Sequence, residues 1–324
     1  MKNKDEQNLI LKSFEQLYLY GFNYEFDLFK KLFLKKEIPK CTLFTGSKGI
    51  GKATLAYHLI NYFLSREEKN SYSIDEHKIN PLNHSFNLLN SNIHPNFYLL
   101  NSADNEDEIK IEHVRNLLKF LRNTTYNNNF KLVLIDNIEN LNQNSANALL
   151  KCLEEPTNNT FFLLIHNESR MILNTIKSRC VEFRLYLNNI DKYETFSKLS
   201  KQYFENQDLK KIYDYFYFES PGNLIKYISI LELNKNDILS NKLNAITFLI
   251  EKYLREDDSK ILSFISIFIE KFYGDLYLSN INKINIFYYN KNKILNLINE
   301  MKIYNLDKKN TFLGIKDIIQ ADAR

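Results

Sequence analysis

The chain has 324 residues, enough for two or three domains with cores of their own. Hydrophobic residues make up 44% and charged residues 25%, and no run of 18 apolar residues occurs, so a globular chain without a membrane span is expected. Forty-three basic against 39 acidic side chains leave a net charge of +4, too small by itself to argue for a nucleic-acid surface. The first residues lack an apolar stretch ending in small residues, so no secretory signal is expected. Cys41, Cys152 and Cys180 lie far apart with no CxxC pair. They read as reduced thiols of a cytoplasmic protein, and no zinc site is expected.

Three of only seven glycines, Gly46, Gly49 and Gly51, fall within six residues. Before them stands an apolar run over 41–45; after them Leu55, Leu59, Tyr62 and Phe63 carry helical spacing. Further apolar runs of strand length occupy 97–100, 130–135, 161–165 and 181–185. Between them, Ile111, Val114, Leu118 and Leu121 line one face of a helix read over 109–122. Ala146, Leu149, Leu150 and Leu153 repeat the pattern, with Pro156 as a stop. Near-continuous apolar strands alternating with helices predict a parallel sheet covered on both faces. Residues 65–93 show no periodicity and read as a surface insertion. After about 186 only helical patterns continue, with breaks at Ser220-Pro221-Gly222 and near 236. The expected layout is an α/β domain (1–185), a small helical domain (186–235) and a helical C-terminal domain (236–324).

Gly46 to Lys52 reads GSKGIGK, a GxxxxGK pattern between a strand and a helix. Glycines let backbone N–H groups close around phosphate oxygens, the helix N-terminus adds positive potential, and Lys52 reaches the terminal phosphates. The next position should offer a hydroxyl to Mg²⁺ but is Ala53; Thr54 lies about 100° further round the helix. ATP or ADP with Mg²⁺ is the expected ligand, with the metal ligand incomplete. The hydrophobic run 131–135 ends in Asp136, an acid suited to hold Mg²⁺ directly or through water. Asn137 follows it and cannot accept a proton, so hydrolysis at this site is not expected. Glu139, two residues on, is the alternative acid.

The stretch from Ile135 to Pro156, IDNIENLNQNSANALLKCLEEP, resembles the signature of bacterial clamp-loader subunits of the AAA+ family. Asn174 to Cys180, NTIKSRC, resembles that family's Ser-Arg-Cys motif. The motifs span residues 20–185, and Ser220-Pro221-Gly222 extends the match to about 226. The resemblance implies an AAA+ P-loop domain, a helical lid and a C-terminal collar that holds a ring of subunits. It makes Arg179 an arginine finger acting in a neighbour's nucleotide site, where a guanidinium stabilises charge growing in the transition state, worth about 10³–10⁵ in rate. Asn167 falls at the sensor-1 position, with His166 as the alternative register. Arg115 and Lys151 would face the phosphates of primer-template DNA, without sequence preference. Glu154 and Glu155 end a helix whose dipole disfavours them and suggest a basic partner surface, or plain solvent exposure.

Within the family, the gamma/tau motor subunit carries a four-cysteine zinc module, a glutamate after the strand-end Asp, and a second sensor arginine. Here residues 53–135 contain no cysteine, Asn137 replaces the glutamate and Gly222 stands at the sensor position. This pattern resembles the delta-prime type, a stator that lends Arg179 outward. It implies assembly with gamma/tau and delta subunits in a hetero-pentamer that serves a sliding clamp. Three other readings stay open: an autonomous P-loop ATPase using Glu139, the gamma/tau motor subunit of the same complex, and an interaction module with a vestigial glycine loop.

Overall fold

The computed structural model describes residues 12–102, 108–123, 130–156, 159–204, 209–231 and 242–323. The break read near residue 236 lies outside them. The chain divides into two compact units, Met1–Ile225 and Lys226–Arg324.

The first unit is built on five parallel strands: β1 (Cys41–Thr45), β2 (Phe97–Leu100), β3 (Lys131–Ile135), β4 (Thr160–His166) and β5 (Val181–Arg184). Their order is β2-β3-β4-β1-β5. β1 and β3 are buried along their whole length, which is why neither alternates apolar with exposed polar residues; even Thr42, Thr45 and Lys131 are buried. Side chains still divide by the period of two. Phe44, Leu134, Leu163 and Ile165 enter one core. Leu43, Val133, Ile135, Phe162 and Leu164 enter the other.

The first face is covered by α1 (Asn23–Leu34), α2 (Lys52–Leu64) and α3 (His84–Asn90). α2 is buried nearly all round, consistent with its central position. On the second face α4 (Ile111–Arg122) packs against α5 (Gln143–Glu154) through Val114, Leu117, Ala146 and Leu149. Each fully buried Leu or Val here contributes roughly 1.5–3 kcal/mol relative to exposure. α4 begins at Ile111 rather than 109, because Ile109 instead bridges to Leu141.

Residues 65–93 are not the surface insertion read from their composition. Tyr72, Ile79, Phe86 and Leu89 are buried in the core beneath α2. Tyr72 stacks on Phe26 with ring centroids 4.9 Å apart, and its hydroxyl meets His58 Nδ1 at 2.8 Å. The Asn83 side chain caps α3 by accepting from the Phe86 amide. Glu68 accepts from the amides of His84 and Ser85. Isolated apolar residues held by polar caps carry no period, so this packing was invisible to pattern reading.

Short helices follow: α6 (Asn174–Lys177), α7 (Asn189–Tyr203), α8 (Lys210–Tyr215) and α9 (Pro221–Leu231). The second unit contains α10 (Lys242–Glu256), α11 (Ser259–Ser279), α12 (Ile284–Tyr304) and α13 (Lys308–Asp322). Ile261, Phe264, Ile265 and Phe268 are plain core there. Asp322 of α13 accepts from the Tyr273 hydroxyl at 2.7 Å and from Asn290 at 2.9 Å, joining three helices at one carboxylate. Among the described residues, no helix is long and apolar enough to cross a membrane.

Candidate functional site

Strand β1 delivers the chain into the glycine loop, and α2 begins directly after it at Lys52. Gly49 has φ +84°, and its carbonyl accepts the backbone N–H of Gly222 at 3.0 Å. A Cβ on Gly49 would stand 2.3 Å from Ser220 Oγ, and one on Gly222 would stand 2.6 Å from the Gly49 oxygen. The first turn of α9 is therefore seated on the loop, at a spacing that admits only glycine on either side. Lys52 is buried and turned into the loop, donating to the carbonyls of Gly46 and Ser47, each at 2.7 Å. Burial pushes its ammonium down to about 8, with Glu139 and Asp136 pulling it partly back.

Around the loop, the expected residues fall at the ends of β3 and β4. Asp136 follows β3, and burial raises its carboxyl, while the Asn137 amide and Lys52 counteract. Asn137 adopts a left-handed φ of 56°, and its side chain accepts from Asn167 Nδ2 at 2.5 Å. Of the two sensor registers, Asn167 thus reaches the β3 end, whereas His166 turns to the Arg170 carbonyl at 3.0 Å. Glu139 is buried and accepts from the Asn167 amide at 3.3 Å and the Ser169 hydroxyl at 3.1 Å. It is thereby engaged in holding the loop after β4.

ATP or ADP with Mg²⁺ can be tested against these groups. The loop amides and Lys52 suit phosphate. Ala53 offers no oxygen to a metal, Thr54 is half-buried one position on, and Asn137 cannot take a proton from water. The residues fit phosphate but not a metal-bound triphosphate poised for cleavage, and no hydrolytic step is assigned to this loop. Among the described residues, no three His, Cys, Asp or Glu side chains converge as a metal site. Burial raises the thiols of Cys41 to about 11 and Cys180 to about 12, and raises Cys152, which disfavours the thiolate at all three.

Arg179 stands between α6 and β5, remote in sequence from the loop. Its Nη1 donates to the Thr175 carbonyl at 2.7 Å, and its Nη2 lies 2.5 Å from Glu154 Oε1. The side chain remains 31% exposed, so it is not enclosed in its own chain. Sequence reading gave Glu154 to a partner surface or to solvent; its basic partner is this arginine.

Arg115 is exposed on α4, and Lys151 is exposed in the last turn of α5. Two cations that sequence reading passed over, Lys119 and Arg122, are exposed at i+4 and i+7 from Arg115. Helical spacing alone was the signal that could have found them. The last turn of α4 is itself fixed by buried Lys131, whose ammonium donates to the carbonyls of Phe120 and Leu121, each at 2.9 Å, and to that of Asn123.

A family model described as DNA polymerase III, delta subunit, matches residues 23–189, more than half of the chain. A crystal structure of a DNA polymerase III gamma subunit-related protein from Thermotoga maritima is similar at 17% identity with a TM-score of 0.55. That alignment covers 92% of this chain and 99% of the other. A search of curated proteins finds no match. The first unit shares an α/β fold with that structure, a parallel five-stranded sheet followed by helices. The chain belongs to the DNA polymerase III clamp-loader family, whose members work in DNA replication as parts of a multi-subunit complex.

Proposed function

We propose that this chain is the delta-prime, or stator, subunit of its clamp loader. In this role it completes a neighbouring subunit's nucleotide site with Arg179 and hydrolyses little or no ATP itself. One combination carries the reading: a partly exposed arginine in the Ser-Arg-Cys motif, beside a glycine loop that lacks its metal ligand, its base and its sensor arginine. Gly46, Gly49, Gly51, Lys52, Thr54, Asp136 and Asn167 then form a phosphate site serving at most a static adenine nucleotide. The partners are gamma/tau and delta subunits in a hetero-pentamer, primer-template DNA along Arg115 and Lys151, and the sliding clamp at least indirectly. The compartment is the cytoplasm.

The decisive variant is Arg179→Ala in a complex reconstituted with the chain's own partner subunits. The complex should stay assembled while its DNA-stimulated ATP turnover falls steeply. Unchanged turnover would remove the finger assignment. A second reading, the gamma/tau motor or an autonomous ATPase, draws on the retained GxxxxGK loop and the likeness to a gamma-related fold. Appreciable turnover by the purified chain, abolished by Lys52→Ala, would select it.

A further inference from the structure

The contact between Arg179 and Glu154 is made by two side chains that are each partly open to solvent, 31% and 46% exposed. A guanidinium presents a fork of N–H donors that matches a carboxylate and a phosphate in the same way. Glu154 ends α5, where the helix dipole disfavours a negative charge. The helix gains nothing from an acid there; the bond to Arg179 is what that acid supplies. Thr175, in α6, anchors the other arm of the guanidinium through its carbonyl. One nitrogen is thus tied to backbone, and the second to an exchangeable anion.

We propose that Glu154 is an internal stand-in for phosphate. In the free chain it holds and neutralises Arg179; on assembly it gives the guanidinium up to a nucleotide phosphate on the adjoining subunit. The proposal rests on the reading of Arg179 as a finger, although the restraint itself can be measured without partners. Exchange requires no unpacking, because neither side chain is enclosed. The pair is of the exposed kind, worth about a two- to fivefold bias and weakened by salt. A phosphate carries more charge than a carboxylate and replaces it readily. The restraint therefore keeps a lone cation from capturing stray anions before assembly, at little cost to the assembled state.

The first arm of the test uses the isolated full chain and phenylglyoxal, which reacts with accessible arginine. Labelling of Arg179 and Arg184 is followed by mass spectrometry in wild type, Glu154→Gln and Glu155→Gln. Arg184 is 75% exposed and serves as the internal reference. Glu154→Gln should speed labelling at Arg179 about two- to fivefold, leave Arg184 unchanged, and lose its advantage at high salt. Glu155→Gln should behave as wild type. Equal Arg179 rates in wild type and Glu154→Gln at low salt would overturn the restraint.

The second arm measures the affinity of the reconstituted complex for ATP. Glu154→Gln should tighten it by a similar factor, and only while Arg179 is present. A shift that persists in Glu154→Gln/Arg179→Ala would also overturn the proposal. If Arg179→Ala alone leaves the complex unaffected while the labelling result stands, the finger reading fails and the restraint survives.

Discussion

The backbone N–H of Gly222 donates to the carbonyl of Gly49 across 3.0 Å, and neither residue has room for a methyl group. The first turn of α9 is thereby seated directly on the glycine loop. Gly222→Ala should unseat that helix. The new Cβ would meet a backbone oxygen at 2.6 Å, which only a backbone shift relieves. Overpacking of this kind costs about 1–3 kcal/mol. Gly314, in the middle of α13 with nothing within 4 Å of its would-be Cβ, is the control. There Ala should stabilise by roughly 0.5–1 kcal/mol through helix propensity. Thermal unfolding should move in opposite directions for the two variants, and faster amide exchange over 46–54 should appear only in Gly222→Ala. Two shifts of the same sign would contradict the seating.

Lys52 sets a stability that depends on pH in the alkaline range. Its folded pKa of about 8 lies below the ordinary 10.5, with burial as the main cause. Between these values the unfolded chain holds a proton that the folded chain has released, so the group's contribution to stability rises with pH across that window. Below about 8 both states are protonated and the full cost of burying the ammonium is present. The depression corresponds to about 3 kcal/mol. Denaturant unfolding of wild type and Lys52→Met at pH 7.5 and pH 10 should show wild type gaining relative to the variant at the higher pH. A constant difference between them would mean that Lys52 titrates normally.

His58 works at the other end of the scale. It is fully buried between α2 and the segment carrying Tyr72, bonded to the Tyr72 hydroxyl and, at 3.1 Å, to the Gln16 carbonyl. Burial lowers it to about 3, and the Gln16 bond opposes only part of that. His94 is lowered to about 4, also chiefly by burial. For both, the unfolded chain takes up protons below about 6.5 while the folded chain does not. Stability is therefore lost as pH falls from 6.5 toward 3, by roughly 5 kcal/mol for His58 alone. Glutamine keeps a donor and an acceptor without a charge change. His58→Gln should be less stable than wild type at pH 7 but should lose less on acidification to pH 4.5. Parallel pH profiles would rule His58 out as the source.

How far the sequence carried the site follows from these residues. The strands were legible because a parallel sheet buried on both faces makes apolar runs, and the loop because its glycines have few competitors. Asn167, Asp136 and Lys52 gather around one end of the sheet because strand ends are near in sequence to the motifs that mark them. What stayed hidden are relations between distant segments that share no period. Glu154 and Arg179 are 25 positions apart and meet only through the packing of α5 against α6. Gly49 and Gly222 meet across 173 positions, and nothing in either neighbourhood announces the other. The core packing of 65–93 is accompanied by a buried hydrogen bond to His58 and by amide bonds to Glu68, which hydrophobic pattern cannot register.

The proposed DNA surface makes a quantitative prediction in its salt dependence. Arg115, Lys119 and Arg122 line the outer face of α4, Lys151 lies in the last turn of α5, and the two helices pack side by side on one face of the sheet. Each lysine or arginine that neutralises a duplex phosphate releases counterions and adds about 0.9 to the slope of log affinity against log salt. Arg115→Ala/Lys151→Ala should therefore flatten that slope by about 1.8 for the reconstituted complex on primed duplex DNA, with no change in sequence preference. Adding Lys119→Ala and Arg122→Ala should flatten it further if the α4 row tracks the backbone. Lys35→Ala, at the end of α1 on the opposite face of the sheet, should leave the slope alone. A weakened affinity with an unchanged slope would point to a disturbed assembly instead of lost phosphate contacts, and would remove Arg115 and Lys151 from the DNA path.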